Sequence, residues 1–285
     1  MNAATETSRE LAQALLPVRD RFAHKGDFGK ILLLCGSVGY TGAAAMAAKA
    51  ALRMGSGLIF LGVPEAVYPI LAAKLDEPIV FPLPDDGFGR LSAAALPEIR
   101  WRLRGCGACL AGPGLGRSED VFAIISGLLE SCEAPLVLDA DGINVLAGHI
   151  DLLRGAACPV VLTPHEGEFR RLGGKLDSLS RQEAAGAMAA ETGCVVLLKG
   201  HETVITDGDK TYVNHTGNPG MATGGSGDVL AGILTSLLGQ GAKPLEAAAA
   251  AAWLHGSAGD LCAAELGEYG MTPTDMIGAL PRLLK

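Results

Sequence analysis

A chain of 285 residues with 31 acidic and 23 basic side chains carries a formal net charge of −8. This balance argues against nucleic-acid binding, because a phosphate backbone is held by clustered positive charge and the sequence has no Lys/Arg block. No window approaches the roughly 18 apolar residues of a membrane span, and residues 1–10 lack a signal-peptide pattern. The seven cysteines, an odd number mostly in apolar runs, favour a reducing compartment, so we expect a cytoplasmic protein.

Short apolar runs alternate with alanine-rich helical patterns along the chain. The runs predict strands at 30–35, 57–63, 78–81, 108–112, 136–139, 160–162, 195–199, 203–206 and 210–214. Helices are predicted at 42–54, 66–73, 118–132, 142–147, 166–172, 181–192, 228–238, 244–265 and 274–284. Continuous apolar strands alternating with helices indicate a mostly parallel sheet covered on both faces, and 203–214 is typical of a hairpin. No linker divides the chain, which predicts one domain over residues 1–285.

Two glycine-rich segments follow the first and fourth predicted strands. Segment 36–43 fits a tight turn and a ligand contact equally well. Segment 111–116 has three glycines and a proline, and it favours ligand contact because a plain turn rarely needs so many glycines. Ligands of open parallel sheets bind at this edge, outside the carboxyl ends of the strands.

Polar side chains follow three later strands. Asp139 is a candidate to orient a metal–water shell or a substrate hydroxyl. Asp141 could have the same role or could equally be the N-cap of the next predicted helix. His165 and Glu168 fit either a substrate contact or a helix start whose dipole favours acidic residues. Lys199 is placed to reach phosphate oxygens or to remain solvated. His255, in an alanine-rich helix, is expected to be packed rather than catalytic.

Segment 218–228 is the most informative part of the sequence. Four glycines precede Asp228 at the start of an apolar helix, and such a loop brings backbone N–H groups close to an anion. The Asp228 charge would repel a phosphate, so this residue is better suited to accept a proton or to engage a metal-bound phosphate. The segment matches neither of the common glycine-rich nucleotide motifs.

Together these segments resemble the ribokinase-like superfamily, and within it the ADP/ATP-dependent NAD(P)H-hydrate dehydratases. The residues that carry the resemblance are 24–29, 36–37, 41–44, 112–116, 139–142, 163–168, 199–200 and 224–228. The resemblance implies an α/β fold, a ribokinase-like three-layer α/β/α sandwich with a mostly parallel central sheet. It also implies dehydration of the (6S) hydrate of NADH or NADPH, with ADP or ATP consumed and AMP or ADP released with phosphate.

The same resemblance assigns roles by position. Asp228 would accept the proton of the C6 hydroxyl, while the N–H groups of Gly225, Ser226 and Gly227 stabilise the transferred phosphoryl group. The hydrated dinucleotide would contact Ala43, Gly114, His165 and Asp228. The adenine nucleotide would be held by Lys199, Gly200, His201, Glu202, Thr203 and Gly227. Mg²⁺ is the implied cofactor, with Asp139 near it.

The resemblance further implies a homo-oligomer, with a tetramer as the usual form in the family. The first predicted strand begins at residue 30, so we expect no fused epimerase domain and a functional link to a separate epimerase. Two other interpretations stay open: a small-molecule kinase of the same superfamily acting on a vitamin-precursor alcohol or sugar, and a nucleotide-binding regulatory protein without turnover. The choice between ADP and ATP, and between NADH and NADPH hydrate, also stays open.

Overall fold

The central sheet is built from short, largely buried strands. The computed structural model describes residues 4–284, and the strands in this range are β1 (Thr5–Glu6), β2 (Lys30–Leu34), β3 (Leu58–Pro64), β4 (Ile79–Leu83), β5 (Ala108–Ala111), β6 (Leu136–Leu138), β7 (Val160–Leu162), β8 (Val195–Leu198), β9 (Thr203–Thr206) and β10 (Thr211–Asn214). Their order in the sheet is β1-β10-β9-β8-β7-β6-β5-β2-β3-β4. Neighbours from β8 to β4 are parallel.

One end of the sheet is antiparallel. Strand β9 pairs antiparallel with both β8 and β10, and Thr206 lies opposite Thr211. The predicted hairpin is therefore confirmed, with its turn at Asp207–Lys210 closed by the Asp207 side chain, which accepts from Lys210 N at 2.8 Å. Strand β1 adds to the outer side of β10 in parallel.

Helices connect the strands and cover both faces. They are α1 (Arg9–Ala14), α2 (Thr41–Arg53), α3 (Tyr68–Lys74), α4 (Leu96–Leu103), α5 (Glu119–Ser131), α6 (Asp141–Asn144), α7 (Asp151–Arg154), α8 (Glu166–Arg171), α9 (Arg181–Thr192), α10 (Ser226–Gly239), α11 (Pro244–Leu266) and α12 (Pro273–Leu283). Short 3₁₀ helices lie at Lys25–Phe28, Glu65–Val67, Ala93–Ala95 and Pro219–Met221. Within residues 4–284, no helix is both long enough and apolar enough to cross a membrane.

The core lies in two layers separated by the sheet. Ile31 and Leu33 of β2 face a cluster formed with α2, α10, α11 and α12, while Leu32 and Leu34 face a cluster formed with α4, α5 and α9. All four side chains are fully buried, which explains why the strand reads as a continuous apolar run. The predicted three-layer α/β/α sandwich with a mostly parallel sheet is confirmed.

Small residues allow the two central helices to pack closely. A Cβ atom at Gly232 of α10 would overlap the carbonyl oxygen of Ala47 in α2 and lie 3.0 Å from the Ala50 side chain. The alanine-rich composition of 42–54 therefore serves a helix contact as well as helix propensity. This contact fixes α10, and hence the loop at its N-terminus, against α2.

The sequence pattern missed several elements. Helix α4 buries chiefly Ile99 and carries three charged side chains among its eight residues, so its apolar stripe is weak. Helix α1 and strand β1 are short and mostly exposed. Helix α10 begins at Ser226, two residues before its predicted start at residue 228. Gly225, in a left-handed conformation, is its N-cap.

Candidate active site

A cleft of about 960 Å³ lies at the carboxyl ends of β6, β7 and β8. The segments around it come from distant parts of the sequence, namely the residues after those strands, the end of β10, the loop before α10 and one side of α11. Its lining includes Asp139, His165, Glu168, Lys199, Gly200, His201, Glu202, Thr203, Asn214, Thr216, Gly224, Ser226, Gly227, Asp228, His255 and Gly256.

The structure brings most of the predicted site residues into this cleft. All six residues proposed for the nucleotide line it, together with His165, Asp139, Ser226 and Asp228. Ala43, Gly114 and Gly225 do not line it. Ala43 and Gly114 lie next to each other, since a Cβ atom at Gly114 would lie 3.1 Å from the Ala43 Cβ.

The N-terminus of α10 opens into the cleft. Gly225 is its N-cap at φ 102°, and no side chain caps this end. The first-turn N–H groups of a helix have no intrahelical acceptors, so those of Gly227 and Asp228 are available to a ligand. A Cβ atom at Gly227 would lie 3.4 Å from Lys199 Nζ and 3.9 Å from Asp139 Oδ2, which places this end opposite the lysine and the carboxylate.

Lys199 and Asp139 form an ion pair in the cleft, in which Asp139 is buried and Lys199 is 20% exposed. Lys199 Nζ donates to Asp139 Oδ1 at 2.7 Å, and Thr163 Oγ1 donates to the same oxygen at 2.7 Å. Glu168 Oε2 lies 3.9 Å from Lys199 Nζ. Burial alone would lower the pKa of Lys199, but the Asp139 and Glu168 charges outweigh it and raise that pKa. The lysine is therefore held charged, where it can bind phosphate oxygens, and it is not the solvated side chain of the alternative interpretation.

Asp228 has the proton affinity of a general base near neutral pH. Burial, and then the charge of Asp139, raise its pKa to about 7, with Lys199 acting in the opposite direction. A carboxylate with a pKa near the working pH is well matched to accept a proton from a hydroxyl. This environment differs from that of a solvated aspartate, whose pKa is about 3.9.

His255 supports the loop from α11. Its Nε2 lies 2.8 Å from the Ser226 carbonyl oxygen and 3.1 Å from Ser226 Oγ. Burial lowers the pKa of His255 to about 4, so the ring is neutral and donates Nε2–H to the carbonyl. The expectation that His255 is packed and satisfied is confirmed, but its contact with the glycine-rich loop was missed. No spacing in the sequence signals a contact between residues 29 positions apart.

His165 begins α8 rather than standing free in the cleft. Its Nδ1 accepts from Gly167 N at 2.9 Å, and Glu168 accepts from His165 N at 2.9 Å, which makes a reciprocal capping box. Its Nε2 lies 3.4 Å from Glu168 Oε1, but the side chain is still 54% exposed and lines the cleft. The helix start and the substrate contact are therefore compatible at this residue.

Asp141 is not the N-cap that one interpretation expected. Helix α6 begins at Asp141 itself, after Ala140 at φ 48°. The Asp141 carboxylate accepts from Gly116 N at 2.9 Å and lies 3.4 Å from Arg117 Nε. It therefore ties the glycine-rich segment after β5 to the segment after β6.

The cleft fits a nucleotide-bound magnesium ion rather than an ion held by protein alone. Among residues 4–284, no group of three His, Cys, Asp or Glu side chains is arranged to hold a metal. Asp139 Oδ1 is occupied by Lys199 and Thr163, which leaves Oδ2 on the side of Gly227. Mg²⁺ commonly binds one or two carboxylates together with substrate phosphates and water, and a single carboxylate oxygen meets that pattern.

The sheet order and the helices on both faces define an α/β protein of the ribokinase-like class. A ribokinase-like protein of Enterococcus faecalis has the same fold, with a TM-score of 0.84, 26% identity, and coverage of 100% of this chain and 96% of its own. Hydroxyethylthiazole kinase of Pyrococcus horikoshii, at 16% identity and a TM-score of 0.62, shares the fold alone.

The chain belongs to the NAD(P)H-hydrate dehydratase family, whose model matches residues 31–282. It is 44% identical over 274 residues to the bifunctional NAD(P)H-hydrate repair enzyme of Moorella thermoacetica, which covers 95% of this chain and 52% of that protein. The chain thus spans about half the length of the curated relatives it matches. It also resembles the ADP/ATP-dependent NAD(P)H-hydrate dehydratase of Bacillus subtilis co-crystallized with ATP/Mg²⁺, with a TM-score of 0.81, 30% identity, and coverage of 99% and 98%.

Proposed function

We propose that this protein removes water from the (6S) hydrate of NADH or NADPH and consumes ADP or ATP in doing so. The observation that carries the proposal is the position of Asp228, which lines the cleft at the open N-terminus of α10 with its pKa raised by burial to about 7. Membership of the dehydratase family supports this reaction over other phosphoryl-transfer reactions on the same fold.

Asp228 takes the proton from the C6 hydroxyl of the hydrate as that oxygen attacks the terminal phosphoryl group. The N–H groups of Gly227 and Asp228 and the ammonium of Lys199 stabilise the negative charge on the phosphoryl oxygens. Of the other predicted donors, Ser226 N donates to the Thr223 carbonyl oxygen at 3.4 Å, and Gly225 does not line the cleft. Hydroxide is a poor leaving group, whereas phosphate leaves readily. Loss of phosphate from C6 and of a proton from C5 then restores the dihydronicotinamide ring.

The nucleotide lies along Lys199, Gly200, His201, Glu202 and Thr203, with Gly227 at its phosphate end. Asp139 Oδ2 is the oxygen that would hold Mg²⁺ together with the nucleotide phosphates. The ion would shield phosphate charge. His165, and Ala43 with Gly114 beside the cleft, are the proposed contacts of the hydrated dinucleotide.

The test is incubation of the protein with NADH hydrate, Mg²⁺ and either ADP or ATP, followed by absorbance at 340 nm. We expect absorbance to recover, and we expect Asp228→Asn to reduce kcat by about 10²- to 10⁴-fold, as loss of a general base does. Asp207→Asn, in the exposed β9–β10 turn, is the matched control and should retain activity. Absorbance that stays flat with both nucleotides, while a vitamin-precursor alcohol is phosphorylated, would replace this proposal with the kinase. Undiminished turnover by Asp228→Asn would reject the mechanism.

The proposal extends to the domain organisation, the assembly and the cellular location of the protein. We infer that residues 1–285 act as one ribokinase-like domain, that the protein assembles as a homotetramer, and that it works with an epimerase that interconverts the hydrate epimers. All seven cysteines are free, which supports a reducing, cytoplasmic location. Light scattering of the purified protein tests the assembly.

A further inference from the structure

A second concave surface lies on the same edge of the sheet as the cleft. This groove, of about 380 Å³, is lined by Ser37, Val38, Tyr40, Phe88, Arg90, Gly116 and Arg117. It lies beyond the ends of β2 and β5, whereas the cleft lies beyond β6, β7 and β8. The groove and the cleft share no lining residue.

The groove combines exposed apolar surface with two guanidinium groups. Phe88 is 78% exposed and Tyr40 is 60% exposed, which is unusual for aromatic side chains with no assigned partner. The Arg117 side chain is 59% exposed, and its contact with Asp141 is a long 3.4 Å. Arg90 is paired with Asp86 at 2.7 Å, so Arg117, beside the exposed aromatic rings, is the guanidinium open to an anion attached to a flat apolar group.

Hydrogen bonds between the lining segments hold the groove in shape. Arg90 donates to Asp86 at 2.7 Å and to the Arg117 carbonyl oxygen at 3.2 Å, so it joins the loop that carries Phe88 to the segment after β5. On the other side, Ser37 Oγ donates to the Gly114 carbonyl oxygen at 2.7 Å, and Val38 N donates to Gly89. Three separate chain segments therefore hold its shape.

A short path connects the groove to the catalytic loop. A Cβ atom at Gly225 would overlap the end of the Met46 side chain, and Met46 is one turn along α2 from Ala43. A Cβ atom at Gly114 would lie 3.1 Å from the Ala43 Cβ and 2.7 Å from the Tyr40 Cβ. From Met46 to Tyr40 the helix rises about 9 Å at 1.5 Å per residue, so a ligand with its reacting ring near Asp228 and its tail in the groove would cross Ala43 and Gly114.

We propose that the groove binds the adenosine half of the hydrated dinucleotide, with Phe88 stacked on the adenine and Arg117 bound to the phosphates. This inference rests on the proposed function. A dinucleotide hydrate carries a flat base and a diphosphate at a fixed distance from its nicotinamide ring, and the groove offers an aromatic face and a guanidinium for those two groups. Ala43 and Gly114, which line neither cavity, then lie under the middle of the substrate.

Substrate truncation combined with mutation tests the proposal. The enzyme is assayed with NADPH hydrate and with the hydrate of reduced nicotinamide mononucleotide, which lacks the adenosine half. We expect Arg117→Gln and Phe88→Ala each to lower kcat/KM for the dinucleotide hydrate by about 10-fold, and to leave kcat/KM for the mononucleotide hydrate nearly unchanged. Arg104→Gln and Trp101→Ala, exposed residues near the amino end of β5, are the matched controls and should affect neither substrate.

A binding measurement covers the case in which the mononucleotide hydrate is turned over too slowly. At saturating nucleotide, ADP-ribose should inhibit competitively against NADPH hydrate, and the two groove variants should weaken that inhibition by a similar factor. Equal losses on both hydrates, unchanged kinetics on the dinucleotide hydrate, or a changed oligomeric state in the variants would overturn the groove assignment. A wild-type enzyme inactive on both hydrates would instead reject the proposed function, and the groove assignment with it.

Discussion

Asp228 owes its proton affinity to its surroundings, so a change at a neighbour should move the pH dependence of the reaction. Burial and then the charge of Asp139 raise the pKa of Asp228, whereas Lys199 lowers it. We therefore expect kcat/KM of the wild type to rise with pH to a plateau, with a midpoint near 7. Asp139→Asn should move that midpoint to lower pH, because the raising charge is lost and Lys199 is freed from its partner.

The control for this shift is Asp141→Asn. Asp141 also follows β6, but it binds Gly116 and is not among the groups that shift Asp228. In the Asp141 variant, the midpoint of the kcat/KM profile should stay near pH 7, even if the plateau value of kcat/KM changes. An Asp139 variant with an unmoved midpoint would show that another group controls the profile.

The same pKa has a consequence for stability. An unfolded aspartate titrates near 3.9, whereas folded Asp228 titrates near 7, so between these values the folded state holds a proton that the unfolded state has released. The Asp228 carboxylate therefore lowers the free energy of unfolding. The loss grows as pH rises from about 4 to 7 and is complete above 7. We expect Asp228→Asn to match the wild type near pH 4 and to be more stable at pH 8, by up to about 4 kcal/mol.

Urea denaturation of both proteins across this pH range measures the difference. A variant that is less stable than the wild type at pH 8 would mean that the charged carboxylate has a favourable partner in the folded state. Asp207→Asn, at an exposed turn, provides the reference for a substitution without burial.

At the scale of one element, the turn into α10 depends on glycine at one position but not at its neighbour. Gly225 has φ 102°, and a Cβ atom there would overlap the end of the Met46 side chain. Gly224 has open space around it and no positive φ. We expect Gly225→Ala to lower the free energy of unfolding by about 2 kcal/mol, and Gly224→Ala to change it by less than ~0.5 kcal/mol.

Chemical denaturation of the two variants is the measurement, and the double variant Met46→Ala/Gly225→Ala separates the two causes. Partial recovery in the double variant assigns the recovered part to the side-chain overlap and the remainder to the backbone. Equal losses in Gly224→Ala and Gly225→Ala would contradict the proposed role of the left-handed cap.

The elements that the sequence predicted well are those with a strong periodic signal. Strands such as Val160–Leu162 are apolar on both faces because the sheet is covered on both sides, and their polar ends were found at the right edge. Helix α4 was missed because only one of its faces meets the core. The Lys199–Asp139 pair and the His255 contact join residues 60 and 29 positions apart, and no local pattern encodes such pairs.

At the scale of the whole molecule, the cleft is lined by segments that lie between residues 139 and 256, and it is open to solvent. A ligand that binds there only in the folded state stabilises the entire fold by mass action, by about 2.7 kcal/mol at 100 times its Kd. The melting temperature should therefore rise with the concentration of ATP and Mg²⁺ in the wild type.

Gly227→Ala separates the requirements of the ligand from those of the fold. Gly227 lies in the first turn of α10 without a positive φ, and a Cβ atom there meets Lys199 Nζ at an ordinary 3.4 Å. Without ligand, the variant should be as stable as the wild type or more stable by up to about 1 kcal/mol, since alanine favours a helix over glycine. Its methyl group would occupy the space in which the phosphoryl group approaches the N–H groups, so the rise in melting temperature with ATP and Mg²⁺ should shrink. A variant destabilised without ligand but with the full nucleotide response would show that Gly227 serves the packing of α10 instead.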